Sequence, residues 1–151
     1  MRIDNGAGAK GSKLGGEKIA VNARAISKGE AEGEALVSAD AISFFGGVDP
    51  KTGIVVDKGH CLEGMCIAGK VLVFPRGKGS TVGSYVLLQL KKNNAAPCAI
   101  INEEAEPIIV VGAIIAGIPM VDKLEGNAYA RIKDGMRVAV DGTRGMAEIK
   151  E

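Results

Sequence analysis

Two strand-helix-strand units follow one another in the middle of the chain, and they constrain the fold more than any other feature. Residues 70–74, 97–101 and 118–121 are apolar runs of strand length. Between the first two lies a helical segment, about 81–92, closed by Asn93 and Asn94. Between the last two lies another, about 107–116, with Pro107 in its first turn, Glu103, Glu104 and Glu106 ahead of it and Gly117 behind it. Negative charge suits the positive end of a helix, proline suits its first turn and glycine its end. Strands joined by helices in this way run parallel with right-handed crossovers. An α/β domain with a parallel core is therefore predicted.

The flanking segments are β in character. Ile19, Val21, Ala23 and Ala25 alternate with polar residues as in a half-buried strand, and the run 31–38 is expected to pair with it across Lys28-Gly29. Residues 41–45 and 53–56 flank a connection dense in turn formers, Gly46 to Thr52. At the other end, 136–141 and 146–149 around Gly142-Thr143-Arg144-Gly145 read as a closing hairpin. The expectation is a parallel core flanked by β hairpins from both ends. Residues 1–17, rich in Gly, Ala and Lys without apolar period, read as a flexible lead to one domain at 18–151.

The junction between the first core strand and its helix carries the chemistry. Pro75-Arg76-Gly77-Lys78-Gly79-Ser80-Thr81 combines two glycines, two cations and two hydroxyls where a helix begins. Glycines let backbone approach a ligand, and unpartnered amides at a helix start welcome an anion. Ser80 can cap the helix or act chemically. A complete capping box would place Glu or Gln three residues later, where Gly83 or Ser84 stands instead. The spacing is also not that of a nucleotide P-loop, so the expected ligand is smaller than a nucleotide.

Nineteen basic against eighteen acidic residues leave a net charge of +1, without the basic excess of a nucleic-acid binder. Cys61, Cys66 and Cys98 are an odd number with no secretory signal ahead of them, which points to a reducing, cytoplasmic setting rather than a disulfide framework. His60, Cys61 and Cys66 are soft ligands one short of a closed zinc site, so no metal is expected on this chain. The longest uncharged stretch, 107–121, is too short to span a bilayer, and no membrane partner is expected. Twenty-two glycines, about twice the usual share, imply many turns and closely approaching backbone.

Three motifs in order, Ile42-Ser43-Phe44-Phe45-Gly46-Gly47-Val48-Asp49-Pro50 with Thr52-Gly53, the loop 75–80, and Ala105-Glu106-Pro107 with the run 112–119, resemble the small subunit of aconitase X, most closely its archaeal, phosphomevalonate-dehydrating type. The resemblance covers about residues 19–150. It implies a swivelling β/β/α domain working against a larger subunit that carries an iron-sulfur cluster and its cysteine ligands. The implied reaction is loss of water from mevalonate 5-phosphate, a small phosphorylated hydroxy acid; relatives in the family use hydroxyprolines such as cis-3-hydroxy-L-proline. Ser80 corresponds to the serine after Gly-x-Gly that serves as the base in aconitases. Arg76, Gly77, Lys78, Gly79 and Thr81 are then expected to bind substrate, with Gly46, Gly47 and Asp49 at the site or the subunit interface. One departure is clear: aconitases place an arginine two residues after that serine, where this chain has Val82, leaving Arg76 to act from the other side.

The residues suit such chemistry without the resemblance. Proton removal beside a carboxylate builds negative charge, which amides and Arg76 or Lys78 can stabilise. Two other readings stay open: a phosphohistidine carrier using His60, although Lys58-Gly59-His60-Cys61 lacks a Thr-His-Ala-type loop, and a non-catalytic anion-binding module using the glycine-rich loop alone.

Overall fold

A computed structural model describes residues 18–151; the lead expected at 1–17 lies outside them. In chain order the elements are β1 (Lys18–Asn22), β2 (Arg24–Ser27), β3 (Glu30–Val37), a distorted helical turn α1 (Phe44–Gly47), β4 (Val71–Phe74), α2 (Gly83–Lys92), β5 (Ala99–Asn102), α3 (Pro107–Ala116), β6 (Met120–Asp122), the short α4 (Ala128–Arg131), β7 (Arg137–Asp141) and β8 (Met146–Lys150).

The predicted core forms as expected. β4, β5 and β6 are parallel neighbours, with Val71 opposite Ala99 and Ile100 opposite Met120. Their runs are apolar up to the terminal Asn102 and Asp122 because both faces are buried. Leu72, Phe74, Ile100 and Met120 pack on Leu87 and Leu90 of α2 and Ile109 and Ala113 of α3. Val71, Val73, Ala99, Ile101 and Val121 pack on Val138, Val140, Ala147 and Ile149 of the C-terminal hairpin β7–β8. The layers are thus antiparallel strands, parallel sheet and helices, a β/β/α sandwich.

The N-terminal pairing differs from the expectation. The alternating run at 19–25 divides between two strands. β1 pairs antiparallel with β8, and β2 pairs antiparallel with β6 at the far end of the eight-stranded order β1-β8-β7-β3-β4-β5-β6-β2. The run expected to join them, β3, pairs with neither. Its residues Glu30–Glu34 lie antiparallel to β7, while Ala35–Val37 lie parallel to β4. Alternation specifies which side chains face a core but not which edge a strand joins. Here the turn of the C-terminal hairpin holds the chain where β1 and β2 part: Ala23 donates to the Gly145 carbonyl at 2.8 Å.

The same turn depends on a missing side chain. A Cβ at Gly142 would stand 1.8 Å from the Ser27 carbonyl oxygen, a backbone atom that cannot rotate away. Gly142→Ala is therefore expected to destabilise the fold by about 3 kcal/mol, read as a lower urea midpoint. A midpoint equal to wild type would show that the two segments do not meet as described.

Candidate active site

Because β4 and β5 are parallel and each feeds a helix, the loops 75–82 and 103–106 emerge together at one edge of the sheet, the usual place for a ligand in α/β folds. The first of these is held from two sides. On one side Ile42 donates to the Arg76 carbonyl and Lys78 donates to the Ile42 carbonyl, each at 3.1 Å, a short parallel bridge between Ile42 and Gly77. On the other, Gly77 is bare against α3: a Cβ there would lie 2.4 Å from Glu106 Oε1 and from Ile109 Cγ1. Glu106 also caps α3, accepting from the amides of Ile108 at 2.9 Å and Ile109 at 3.0 Å. Its neighbour Ala105 donates to Asp122 at 2.7 Å, and the fully buried Asp122 accepts two bonds from Arg24, at 2.8 and 2.7 Å. The edge strand β2, the strand β6 and the base of the loop are thereby tied together.

Gly79 has φ +87°, and its position leaves no room for a side chain, since a Cβ would meet Ser43 Oγ at 2.5 Å. Ser80 follows, exposed. Of the two roles the sequence leaves open for it, capping α2 is not the one it fills, because the helix begins at Gly83 rather than near 81, with Val82 at its N-cap. Instead the Ser80 Oγ accepts from the Val82 amide at 3.1 Å and the Ser80 carbonyl accepts from Gly83 at 3.0 Å, so the serine folds a turn ahead of the helix. The helix's leading amides are consumed by that turn. At the tip of the loop the amides of Gly79, Ser80 and Thr81 have no acceptor among the described residues, and neither do those of Arg76 and Gly77 at its base. Arg76, Lys78 and Thr81 are exposed, and neither cation is ion-paired among the described residues. An anion meeting this loop finds three amides and two uncommitted positive charges.

A crevice of about 790 Å³ opens at Pro75, where the loop leaves β4, lined also by Ser38, Cys61, Glu103, Tyr129 and Lys133 among others. Burial pushes the Tyr129 phenol well up from its ordinary value, Glu103 adds to the rise and Arg76 opposes it. Asp40, on the segment leading to Ile42, is held below the usual carboxylate range chiefly by the Cys61 amide, which donates to it at 3.0 Å, and further by the Cys61 thiol, His60 and Lys78. Ser43, Asp40 and Tyr129 were not singled out as site residues in the sequence. Ser43 lies inside the 42–50 motif, but Tyr129 sits on a one-turn helix that no periodicity announces.

Other sequence candidates are placed differently. Gly46 is exposed. Gly47 is buried, with its carbonyl accepting from Val56, and Asp49 shapes the turn at 49–54, accepting from Lys51 at 2.9 Å. Both serve the loop's own structure. His60 is brought to Cys61 and Asp40, but Leu62 donates to its Nδ1 at 3.0 Å and its Nε2 lies 2.9 Å from the Ala41 carbonyl. Both ring nitrogens are occupied by backbone, which speaks against phosphoryl transfer. Cys66 instead meets the Thr52 carbonyl. Cys98 lies half-buried beneath Gly33, its thiol raised by burial. No three thiols converge among the described residues, so this chain's cysteines do not fit an iron-sulfur cluster, which needs several thiolates at one point. No helix among the described residues is long and apolar enough to cross a membrane.

The parallel core is thus backed by an antiparallel hairpin, with a glycine-rich loop at the strand ends. The sequence model described as the aconitase X swivel domain matches residues 20–149. Similar proteins include the phosphomevalonate dehydratase small subunit of Methanococcoides burtonii, 57% identical over 133 residues covering 88% of this chain and 97% of the relative. That of Methanocella arvoryzae is 64% identical over 124 residues, covering 82% of this chain and 94% of the relative. The crystal structure of Thermococcus kodakaraensis aconitase X in its holo-form superposes with a TM-score of 0.83 at 56% identity, covering 88% of this chain and 99% of that one. This chain belongs to the aconitase X swivel-domain family.

The geometry of Gly79 generates a direct expectation. Gly79→Ala forces an L residue into the left-handed region and against Ser43, costing about 1–2 kcal/mol. In amide NMR spectra the signals of Gly77 to Val82 and Ser43 should move while those of β4 to β6 stay in place. Unmoved loop signals would contradict the packing described.

Proposed function

We infer that this chain is the small subunit of a cytoplasmic hydro-lyase that removes water from (R)-5-phosphomevalonate to give trans-anhydromevalonate 5-phosphate, and that it is active only with a large subunit. The observation that carries this reading is the match, at 57% and 64% identity over more than nine-tenths of the relatives' length, to proteins named phosphomevalonate dehydratase small subunits. Those names favour the phosphorylated substrate over a hydroxyproline. The family is shared with the archaeal isoprenoid enzymes that the motifs resemble, and three thiols without a disulfide suit a reducing cytoplasm.

Ser80 is the proton acceptor in this reading. The Val82 amide aimed at its Oγ favours the anionic form of the oxygen, and Arg76 and Lys78 add positive potential nearby. As the proton beside the substrate carboxylate passes to Ser80 Oγ, charge grows on the carboxylate, where the free amides of Gly79, Ser80 and Thr81 can receive it. Arg76 offers a planar fork for carboxylate or phosphate, Lys78 a mobile point charge. Gly77, buried on Glu106, contributes shape rather than contact. Gly46, exposed next to Phe45, belongs to the surface that meets the partner. The iron-sulfur cluster implied by the family is assigned to the large subunit, whose cluster would act as Lewis acid for the departing hydroxyl; the described residues of this chain offer no place for it.

The test is steady-state kinetics of the chain mixed with its large subunit. Each component alone should show no dehydration, and the mixture should turn over phosphomevalonate. Ser80→Ala should leave assembly and substrate affinity near normal and lower kcat by about 10²-fold to 10⁴-fold. If it retains most of its rate while stability drops by about 0.5–1.5 kcal/mol, the worth of its hydrogen bond from the Val82 amide, the serine is structural and the base lies on the large subunit.

A further inference from the structure

α3 is apolar on every side. Its sequence, Pro-Ile-Ile-Val-Val-Gly-Ala-Ile-Ile-Ala, holds no polar or charged side chain. Ile109, Gly112, Ala113 and Ala116 face inward, with Gly112 pressed so closely on Ser84 and Leu87 of α2 that a Cβ would lie 2.5 Å from Leu87 Cδ1. The opposite face leaves Val111, Ile114 and Ile115 open at 49%, 54% and 43%. A helix at the surface of a globular domain ordinarily turns charged residues to water; one that is hydrophobic all round is ordinarily buried. At 10 residues α3 is far too short to cross a membrane.

The exposed face begins at the reactive loop. Glu106 caps α3 and closes over Gly77, so the first turn of the helix and the loop share one edge of the molecule. The apolar surface also continues onto α2: Gly83 lies between the Ile108 side chain and the Phe45 backbone, and Phe45, Val82 and Tyr85 around it are 55%, 44% and 64% exposed.

We propose that the outer face of α3, continued by Tyr85, Val82 and Phe45, is the surface on which the large subunit seats, through an uncharged apolar patch of its own. The proposal deepens the functional reading above and rests on it. Two observations commit it to that occupant. A partner that completes chemistry at Ser80 must reach the 76–80 loop, and in doing so it meets the first turn of α3. A second copy of this chain has no chemistry that requires it to reach the loop, and the α3 face alone, about 15 Å long and about 10 Å wide, offers about 150 Å² per copy, whereas stable interfaces bury roughly 1,200–2,000 Å² in all. A larger partner that also covers α2 and the loop collects the remainder.

The experiment titrates the full chain with its purified large subunit and reads both the dissociation constant and dehydration at saturating partner. Ile114→Glu and, separately, Val111→Lys place a charge in the centre of the face without touching the core. Each should weaken association by about 30-fold or more, the loss typical of a central interface residue, while kcat at saturating partner stays near wild type. Ile114→Leu should bind normally. A photo-crosslinker at position 114 in the otherwise unaltered chain should join to the large subunit, which keeps the test decisive if a charged variant folds poorly. Unchanged affinity in both charged variants, or no crosslink from an active complex, overturns the docking face and leaves the functional reading intact. A wild-type pair that neither associates nor dehydrates overturns that reading as well. Self-association of the isolated chain that Ile114→Glu abolishes, with large-subunit affinity unchanged, assigns the face to a second copy and also overturns the proposal.

Discussion

Strand β3 serves two sheets at once, and the rest of the domain depends on it. Its first residues pair antiparallel with β7 and its last three pair parallel with β4. The parallel core therefore has a partner on the side away from β6, and the C-terminal hairpin is carried over the face opposite the helices. Both faces of β4 to β6 become buried, which is why those strands contain only apolar residues and Asn102 and Asp122 at their ends. With the strands parallel, their outgoing loops gather at a single edge, and that edge is where every residue assigned a chemical role is found.

At that edge the glycine-rich loop is shaped by what is missing from it. Gly77 lets Glu106 and Ile109 sit where a side chain would be, and Gly79 does the same for Ser43. Glu106 is consequently shared: its carboxylate both caps α3 and forms the wall against which the loop rests. Asp122 extends the arrangement inward through the Ala105 amide to Arg24 on the edge strand. An arginine-aspartate pair of this kind, with one partner buried and the other half exposed, sets geometry more than it adds stability. It fixes the segment from which Glu106 reaches the loop.

The core was legible in the sequence because burial on both faces writes itself as unbroken apolar runs. Edge choice was not, since Ile19 to Ala25 alternate in the same way whether they pair with β3 or are divided between β8 and β6. Deciding between these needed Gly145, whose bare backbone lies against Ala23 where β1 and β2 part, and Gly142, whose bare backbone lies against Ser27 at the end of β2. The loop was legible as a glycine-rich strand-to-helix junction, but where the unpartnered amides of its tip lie was not: Ser80 turns the chain before the helix starts, so they lie at 79–81 rather than in the first helical turn. Glu106 was read as a dipole partner for α3, and its second contact with Gly77 required coordinates because nothing in their sequence separation announces it. The apolar outer face of α3 was present in the composition of 107–116, but only its position outside the core distinguishes it from an ordinary buried helix.

The central claim is that Ser80 moves the proton beside the substrate carboxylate. It is tested most directly by running the assembled complex in D2O in the hydration direction and following deuterium entry at that carbon by mass spectrometry. With Ser80 as the proton carrier, the wild-type complex incorporates one deuterium there, and Ser80→Ala slows incorporation by about 10²-fold or more while still binding its substrate. Incorporation at the wild-type rate in the Ser80→Ala complex would contradict the account.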